Sequence, residues 1–172
     1  MRASMLCGVL VLGAIGCGAP ATVDLLRIGF GGGLGAPPIQ VDSDCSNGGC
    51  AELPALTGQL TYDADIASTA EDYVEILQYR VDYQLAAPND QVAMPYFAGH
   101  LSLMVPVGET LDFNVAAAAD RQRDLIRTRL PGQSVSGTAT LMLAGYDLKN
   151  EQVFPKAEFE IFFGDFVDES TP

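Results

Sequence analysis

The sequence predicts an all-β domain built as an antiparallel sandwich of about six to eight strands. Five segments alternate apolar and polar residues with a period of two, which is typical of strands that bury one face. The turn signals APND, VGET, LPGQ and DLKN separate these segments. The sequence has no strand–helix–strand rhythm, so two packed antiparallel sheets are favoured over a parallel sheet covered by helices.

The chain begins with a segment typical of a secretory signal. Arg2 precedes an apolar run from Met5 to Ile15, and small residues follow it. A membrane-spanning helix needs about 20 apolar residues, whereas this run is much shorter and is interrupted by two glycines. We therefore expect residues 1–16 to be a signal peptide.

The end of this segment, AIGC, resembles the lipobox of bacterial lipoproteins. That resemblance implies cleavage after Gly16, so that Cys17 becomes the first residue and carries acyl chains such as palmitate. Because Gly18 rather than aspartate follows the cysteine, it also implies delivery to the outer membrane. The alternative is an ordinary secretory signal that is cut near Ala19 and discards Cys17.

Residues 17–55 are predicted to form a lipid-anchored, flexible tether. The run GFGGGLGAPP contains five glycines, and about 35 residues of such composition have a reach of roughly 30 Å. A dinucleotide-binding loop is disfavoured, because it needs a helix directly after the glycines and Pro37 and Pro38 oppose one.

A small disulfide loop, CSNGGC, is predicted near the end of this tether. Cys45 and Cys50 flank the loop, and their pairing requires an oxidising compartment. A calcium site at the neighbouring aspartates is the less favoured alternative, because the EF-hand glycine and glutamate are missing. Zinc is excluded, since these cysteines and His100, the only histidine, do not make four ligands.

The predicted sandwich occupies residues 56–172, and a further strand is expected in GQLTYDAD near residue 60. Two segments are predicted as short helices. STAEDYVE carries the capping-box pair Ser68 and Glu71, and DRQRDLIRTRLPG ends at a Pro-Gly stop. The residues expected on the inner faces of the strands are Leu77, Tyr79, Val81, Tyr83 and Leu85; Leu101, Leu103, Val105 and Val107; Leu111, Phe113, Val115 and Ala117; Ala139, Leu141 and Leu143; and Ala157, Phe159, Ile161 and Phe163.

The last predicted hairpin, GTATLMLAGYDLKNEQVFPKAEFEIFFGDF, resembles the closing hairpin of immunoglobulin-like domains in bacterial surface lipoproteins. In those domains a strand ends in Gly-aromatic-Asp, turns, and returns through an alternating apolar strand to Asp and Phe. The resemblance implies an immunoglobulin-like sandwich and no particular activity.

Composition and charge narrow the function classes. The chain has 22 acidic and 9 basic residues, a net charge of −13, and such a charge repels nucleic acid. His100 has no nucleophile motif beside it, and GQSVSG lacks a glycine of the nucleophile elbow. With so many acidic residues, carboxylate pairs arise by chance. We therefore expect no enzyme activity, no cofactor, no metal and no nucleic-acid partner.

Two sets of residues are candidate contact sites. In PYFAG, Tyr96 and Phe97 either form an exposed aromatic pair for a partner or plug the end of the sandwich. Four arginines would share one face of an extended strand and could bind an anion or a partner, whereas in a helix they would spread around the axis and neutralise acidic neighbours. These are Arg121, Arg123, Arg127 and Arg129.

Together these features predict a lipid-anchored protein of the cell envelope, in the outer membrane, whose sandwich is a non-catalytic interaction module. The expected partner is an envelope protein or a glycan. The alternative is a carrier that holds an amphiphile between its sheets, and a carboxylate-based hydrolase is less favoured. A module requires a filled core, a carrier a hollow one, and a hydrolase a cleft whose acids have shifted pKa values.

Overall fold

The structure, a computed structural model, describes residues 25–30, 38–43, 52–65 and 68–166. Within these ranges the chain forms nine strands and one helix. Their bounds are β1 Leu26–Gly29, β2 Ile39–Asp42, β3 Ala55–Tyr62, β4 Tyr73–Leu85, β5 Phe97–Pro106, β6 Thr110–Ala116, α1 Asp120–Arg129, β7 Val135–Asp147, β8 Gln152–Val153 and β9 Lys156–Gly164.

The strands form two packed sheets, which confirms the predicted β-sandwich. One sheet has the order β1-β3-β6, and the other has the order β2-β9-β7-β4-β5, with β8 also paired to β7. This order corresponds to the A-B-E and G-F-C-C′ strands of immunoglobulin domains. The pairing of β2 with β9 is parallel, which departs from the purely antiparallel prediction.

The core lies between the two sheets and contains nearly all of the residues that the alternation predicts. Tyr83, Leu101, Leu103, Val107, Leu111 and Ala157 are half-buried against it. The buried members of the predicted set are Tyr79, Val81, Leu85, Val105, Phe113, Val115, Ala117, Ala139, Leu141, Leu143, Phe159, Ile161 and Phe163.

Leu77 is the exception, and the prediction that it belongs to the core is wrong. The register of β4 against both of its neighbours shifts between Ile76 and Gln78. Such a β-bulge inserts one extra residue and changes which face the following residues occupy. Ile76 and Tyr79 are therefore buried, while Leu77 and Gln78 both point to solvent.

The flexible-tether prediction is wrong for the parts of residues 17–55 that the structure describes. Strand β1 pairs with β3, and β2 pairs with β9. Leu26 and Val41 are buried in the core, so these short apolar-polar alternations gain hydrophobic burial that outweighs the flexibility of the neighbouring glycines. The sandwich thus begins before residue 56. Cys17, Cys45 and Cys50 lie outside the described residues, as does the predicted signal peptide.

One of the two predicted helices is present. In α1 the side-chain Oε1 of Gln122 accepts a hydrogen bond from the backbone N–H of Ala119 at 3.1 Å, and Ile126 is fully buried. The prediction of a helix in STAEDYVE is wrong. Residues 68–72 form a turn before β4, and the Ser68 hydroxyl makes hydrogen bonds with Asp65. Among the described residues, no helix is long and apolar enough to cross a bilayer.

Candidate functional site

Exposed apolar side chains concentrate on the outer face of the six-stranded sheet, the face turned away from the three-stranded sheet. The described residues include six large hydrophobic side chains that are exposed, and only Leu148, in the turn after β7, lies off this face. An apolar surface gathered on one face of a soluble domain indicates an interaction site. The five on the face are Leu77, Tyr96, Met104, Tyr146 and Phe154, with exposed fractions of 36–56%.

Three of these side chains line a groove of about 230 Å³ between β4 and the β7–β8 hairpin, which we call the outer-face groove. In register, Tyr146 lies opposite Glu75 on one side and Gln152 on the other, and Ala144 lies opposite Gln78. The small Ala144 side chain leaves space between the larger ones. The lining side chains are Leu77, Gln78, Ala144, Tyr146, Gln152 and Phe154.

The β4 bulge builds one wall of the outer-face groove. It exposes Leu77 and Gln78 side by side, which regular pleating cannot do. Gly145 on β7 faces the bulge, and a Cβ at this position would collide with the backbone carbonyl of Glu75. The close approach of β7 to the bulge therefore requires glycine at position 145.

The turn between β7 and β8 builds the other wall. The buried carboxylate of Asp147 accepts hydrogen bonds from the backbone N–H groups of Lys149 at 2.9 Å and Glu151 at 2.8 Å. The backbone N–H of Asp147 donates to the carbonyl of Glu151 at 3.0 Å, and Asn150 adopts a left-handed conformation with φ 62°. This turn places Gln152 beside Tyr146.

The chemistry of the outer-face groove is aromatic and neutral-polar. None of the described residues that line it is charged, although the chain carries a net charge of −13. The side-chain amides of Gln78 and Gln152 make no hydrogen bond to another described residue. Each amide therefore offers two donors and one acceptor to a ligand.

Tyr96 and Phe97, the predicted aromatic pair, lie on opposite faces of the sheet. The Tyr96 ring is 56% exposed and lies under the Arg80 guanidinium, whose central carbon is 4.2 Å from the ring centroid. Arg80 also donates from Nε to Asp82 at 2.9 Å, a bond that raises the pKa of Arg80. Phe97 instead makes an edge-to-face contact with Tyr79, with 5.9 Å between the two ring centroids. Phe97 therefore fills the margin of the core, and of the pair only Tyr96 remains a candidate for surface contact.

A second groove, of about 410 Å³, lies at the opposite end of the same outer face. Its outward-pointing side chains come from β4, the start of β7 and β9, and only one of them is charged. They are Gln84, Ser136, Thr138, Glu160 and Phe162.

The four arginines of the predicted anion site lie on α1, so the extended alternative, in which they share a face, is wrong. Arg123 is buried and pairs with Asp120 at 3.4 Å, and Arg127 pairs with Asp124 at 2.6 Å. These pairs are the neutralisation that the helical alternative predicts. Arg121 and Arg129 are exposed elsewhere on the helix.

The other chemistry-bearing groups do not converge. His100 is exposed on the edge strand β5. Within the described ranges, no three His, Cys, Asp or Glu side chains are grouped so that they could hold a metal ion.

Alternation alone does not indicate that Leu77, Gln78, Gln152 and Phe154 line a groove. A signal for Leu77 exists in VEILQYR, where two consecutive apolar residues break the period of two. Gln152 and Phe154 have no comparable local signal, because their place beside Tyr146 depends on the β7–β8 turn.

No protein-family model matches this chain, and a comparison with curated proteins finds no match.

Proposed function

We propose that this protein is a lipid-anchored component of the cell envelope whose outer sheet face binds a partner without catalysing a reaction. The observation that carries the proposal is that, of the six large hydrophobic side chains exposed in the described residues, five lie on that one face. A domain under no binding constraint would gain stability and solubility by covering or replacing them.

The bulge in β4 adds independent support. Extending the alternation of Tyr79 and Val81 back along β4 would put Leu77 in the core, whereas the bulge leaves it exposed beside Tyr146 and Phe154. Bulges that redirect a side chain are frequent next to functional sites.

The interior favours a module over a carrier. A carrier needs space between its sheets, but the large side chains there are fully buried within one continuous cluster. Among them are Leu56, Leu60, Ile76, Leu141 and Ile161.

The anchor completes the proposal. Cys17 of the AIGC motif is the acylated residue, and the outer membrane is the proposed location. The short chain between this cysteine and β1 then holds the sandwich close to the membrane surface.

Site-specific photocrosslinking tests the proposed face. A photoreactive phenylalanine analogue replaces Met104 or Phe154 in the full chain, expressed in its own cell envelope. The matched control carries it at Thr57, an exposed position on the three-stranded sheet. We expect discrete crosslinked products from the first two positions and none from Thr57. Equal products from all three positions, or products from Thr57 alone, would overturn the proposal.

A further inference from the structure

We propose that the outer-face groove binds a ring of a neutral saccharide, and that the partner of the module is a neutral glycan. This inference rests on the proposed function, because it specifies what the same face takes. The lining side chains, their charge and the size of the space they leave support it.

The aromatic rings provide the apolar half of saccharide recognition. One face of a sugar ring presents C–H groups, whose partial positive charge is attracted to the negative face of an aromatic ring. Tyr146 and Phe154 lie on the same side of the sheet in the groove, 36% and 42% exposed. Their rings are thus accessible to a ligand that lies flat against the strands.

The amides provide the polar half. Gln78 comes from β4 and Gln152 from β8, so the two amides approach the groove from opposite sides of β7. A sugar hydroxyl both donates and accepts a hydrogen bond, and a primary amide can satisfy both roles. Neither amide is committed to another described residue.

The charge distribution selects a neutral ligand. An anionic glycan would be repelled by a chain with a net charge of −13, and the lining has no lysine or arginine to bind its acid groups. A cationic peptide would find no carboxylate in the lining either. The register neighbour Glu75 lies outside that lining.

The size of the groove suits one ring at a time. Sites for drug-sized ligands have volumes of about 300–1,000 Å³, and this groove has about 230 Å³. The second groove, near Thr138, lies on the same face about 27 Å away along β7, at roughly 3.4 Å for each residue from Tyr146. A linear glycan that runs along β7 would reach both grooves, so the preferred ligand is a polymer rather than a single sugar.

Affinity electrophoresis tests the inference. The full exported chain, its anchor held in a non-ionic detergent, migrates through native gels that contain amylopectin, galactomannan or hydroxyethylcellulose, or no polysaccharide. We expect slower migration in at least one polysaccharide gel. Tyr146→Ala and Gln152→Ala should each raise the dissociation constant for that polysaccharide about tenfold. This is the loss expected for one aromatic or hydrogen-bonding contact.

Two further variants separate binding from folding. Ala144→Leu keeps every polar group and both rings but fills the groove, so it should abolish the retardation. Leu148→Ala removes an exposed apolar side chain outside the groove and should leave the retardation unchanged. Thermal unfolding midpoints within about 2–3 °C of the parent establish that each variant is folded.

The inference is overturned if none of the three polysaccharides retards the parent protein, or if Ala144→Leu migrates like the parent. In that event, protein crosslinks from Phe154 would leave the proposed function standing with a protein as the partner. If neither retardation nor crosslinks are found, both proposals are wrong.

Discussion

Ile76 and Leu77 are consecutive apolar residues of β4 in opposite environments. Ile76 is fully buried between the sheets, and Leu77 is 40% exposed on the outer face. The hydrophobic effect alone would bury both, but consecutive residues of a strand point to opposite faces, so only one of the two can lie in the core. The bulge shows at the next position, because Gln78 is exposed where alternation from Ile76 would bury it. A difference in the energetic cost of truncating Ile76 and Leu77 therefore tests the placement of Leu77 outside the core.

We predict that Ile76→Ala lowers the free energy of unfolding by about 2–5 kcal/mol, because it leaves a cavity in the core. Leu77→Ala should cost less than about 1 kcal/mol, since half-exposed surface positions tolerate truncation. Urea denaturation of both variants provides the comparison. Equal losses would mean that Leu77 is a core residue and that the bulge is misplaced.

Tyr83 gives a second prediction at the scale of one residue. Its hydroxyl donates to the backbone carbonyl of Ala117 at 2.8 Å, and burial raises the pKa of Tyr83 above its ordinary value. Above about pH 10 the unfolded chain loses this proton while the folded chain retains it, so stability should fall as pH rises.

Denaturation curves between pH 8 and pH 11 measure this dependence. Tyr83→Phe should cost about 1 kcal/mol near neutral pH through loss of the hydrogen bond, and its stability should decline less steeply with pH. Burial also raises the pKa of Tyr79, so part of the alkaline loss should persist in the variant. An unchanged slope would show that Tyr83 does not contribute.

At the scale of elements, the candidate groove is the product of two local irregularities that meet. The β4 bulge and the β7–β8 turn lie on either side of β7, and the glycine-aromatic-aspartate sequence of β7 serves both. Gly145 allows the bulge to approach, Tyr146 lies in the groove, and Asp147 closes the turn. Three consecutive residues thus have three separate structural tasks.

Gly145→Ala tests the close approach. Its Cβ would collide with the Glu75 carbonyl, so the strands must separate, and we expect a loss of about 1–3 kcal/mol, typical of overpacking. Gly29→Ala in β1 is the matched control, since a Cβ there meets nothing within 4 Å and alanine costs less backbone entropy than glycine. Equal unfolding midpoints for the two variants in thermal denaturation would contradict the contact.

Helix α1 and the failed STAEDYVE helix show how far local signals determine an element. Both segments carry capping features, but only α1 has a residue, Ile126, that is fully buried in the core from a helix. The second half of STAEDYVE belongs to β4, where residues 73–81 pair with β5 and residues 74–85 pair with β7. Strand pairing with two neighbours outweighs one capping box, which contributes about 1 kcal/mol.

For the whole molecule, alternation predicts the sandwich and its core because burial of one face leaves a period-two trace in the sequence. Strands β1 and β2 escaped prediction because each has only four residues, too few for the period to stand out beside a glycine-rich run. The groove could not be predicted because it is formed by β4 and β8, which are about 70 residues apart in the chain. Only the register of the sheet brings these two strands together.

The proposed lipid anchor yields its own prediction. Cys17→Ser should abolish incorporation of radiolabelled palmitate and move the protein from the membrane pellet to the soluble fraction, since a protein without its acyl chains loses stable attachment. Cys7→Ser, in the predicted signal peptide, is the control and should remain labelled and sedimenting. A parent protein that takes up no palmitate would favour the ordinary secretory signal cut near Ala19, and labelling that survives Cys17→Ser would place the acyl chain on another residue.

The parallel pairing of β2 with β9 has a consequence for the order of folding. Strand β1 finds its partner β3 within a few tens of residues, and β4 pairs with β5, the next strand in the chain. Ile39, by contrast, pairs with Ile161, so β2 has no partner until nearly the whole chain has been synthesised. Contacts of such long sequence separation form late, because a large loop must close first. Strand β2 is therefore the last strand to be paired, although it lies close to the proposed anchor in the chain, and a chain truncated before β9 would leave β2 without its partner.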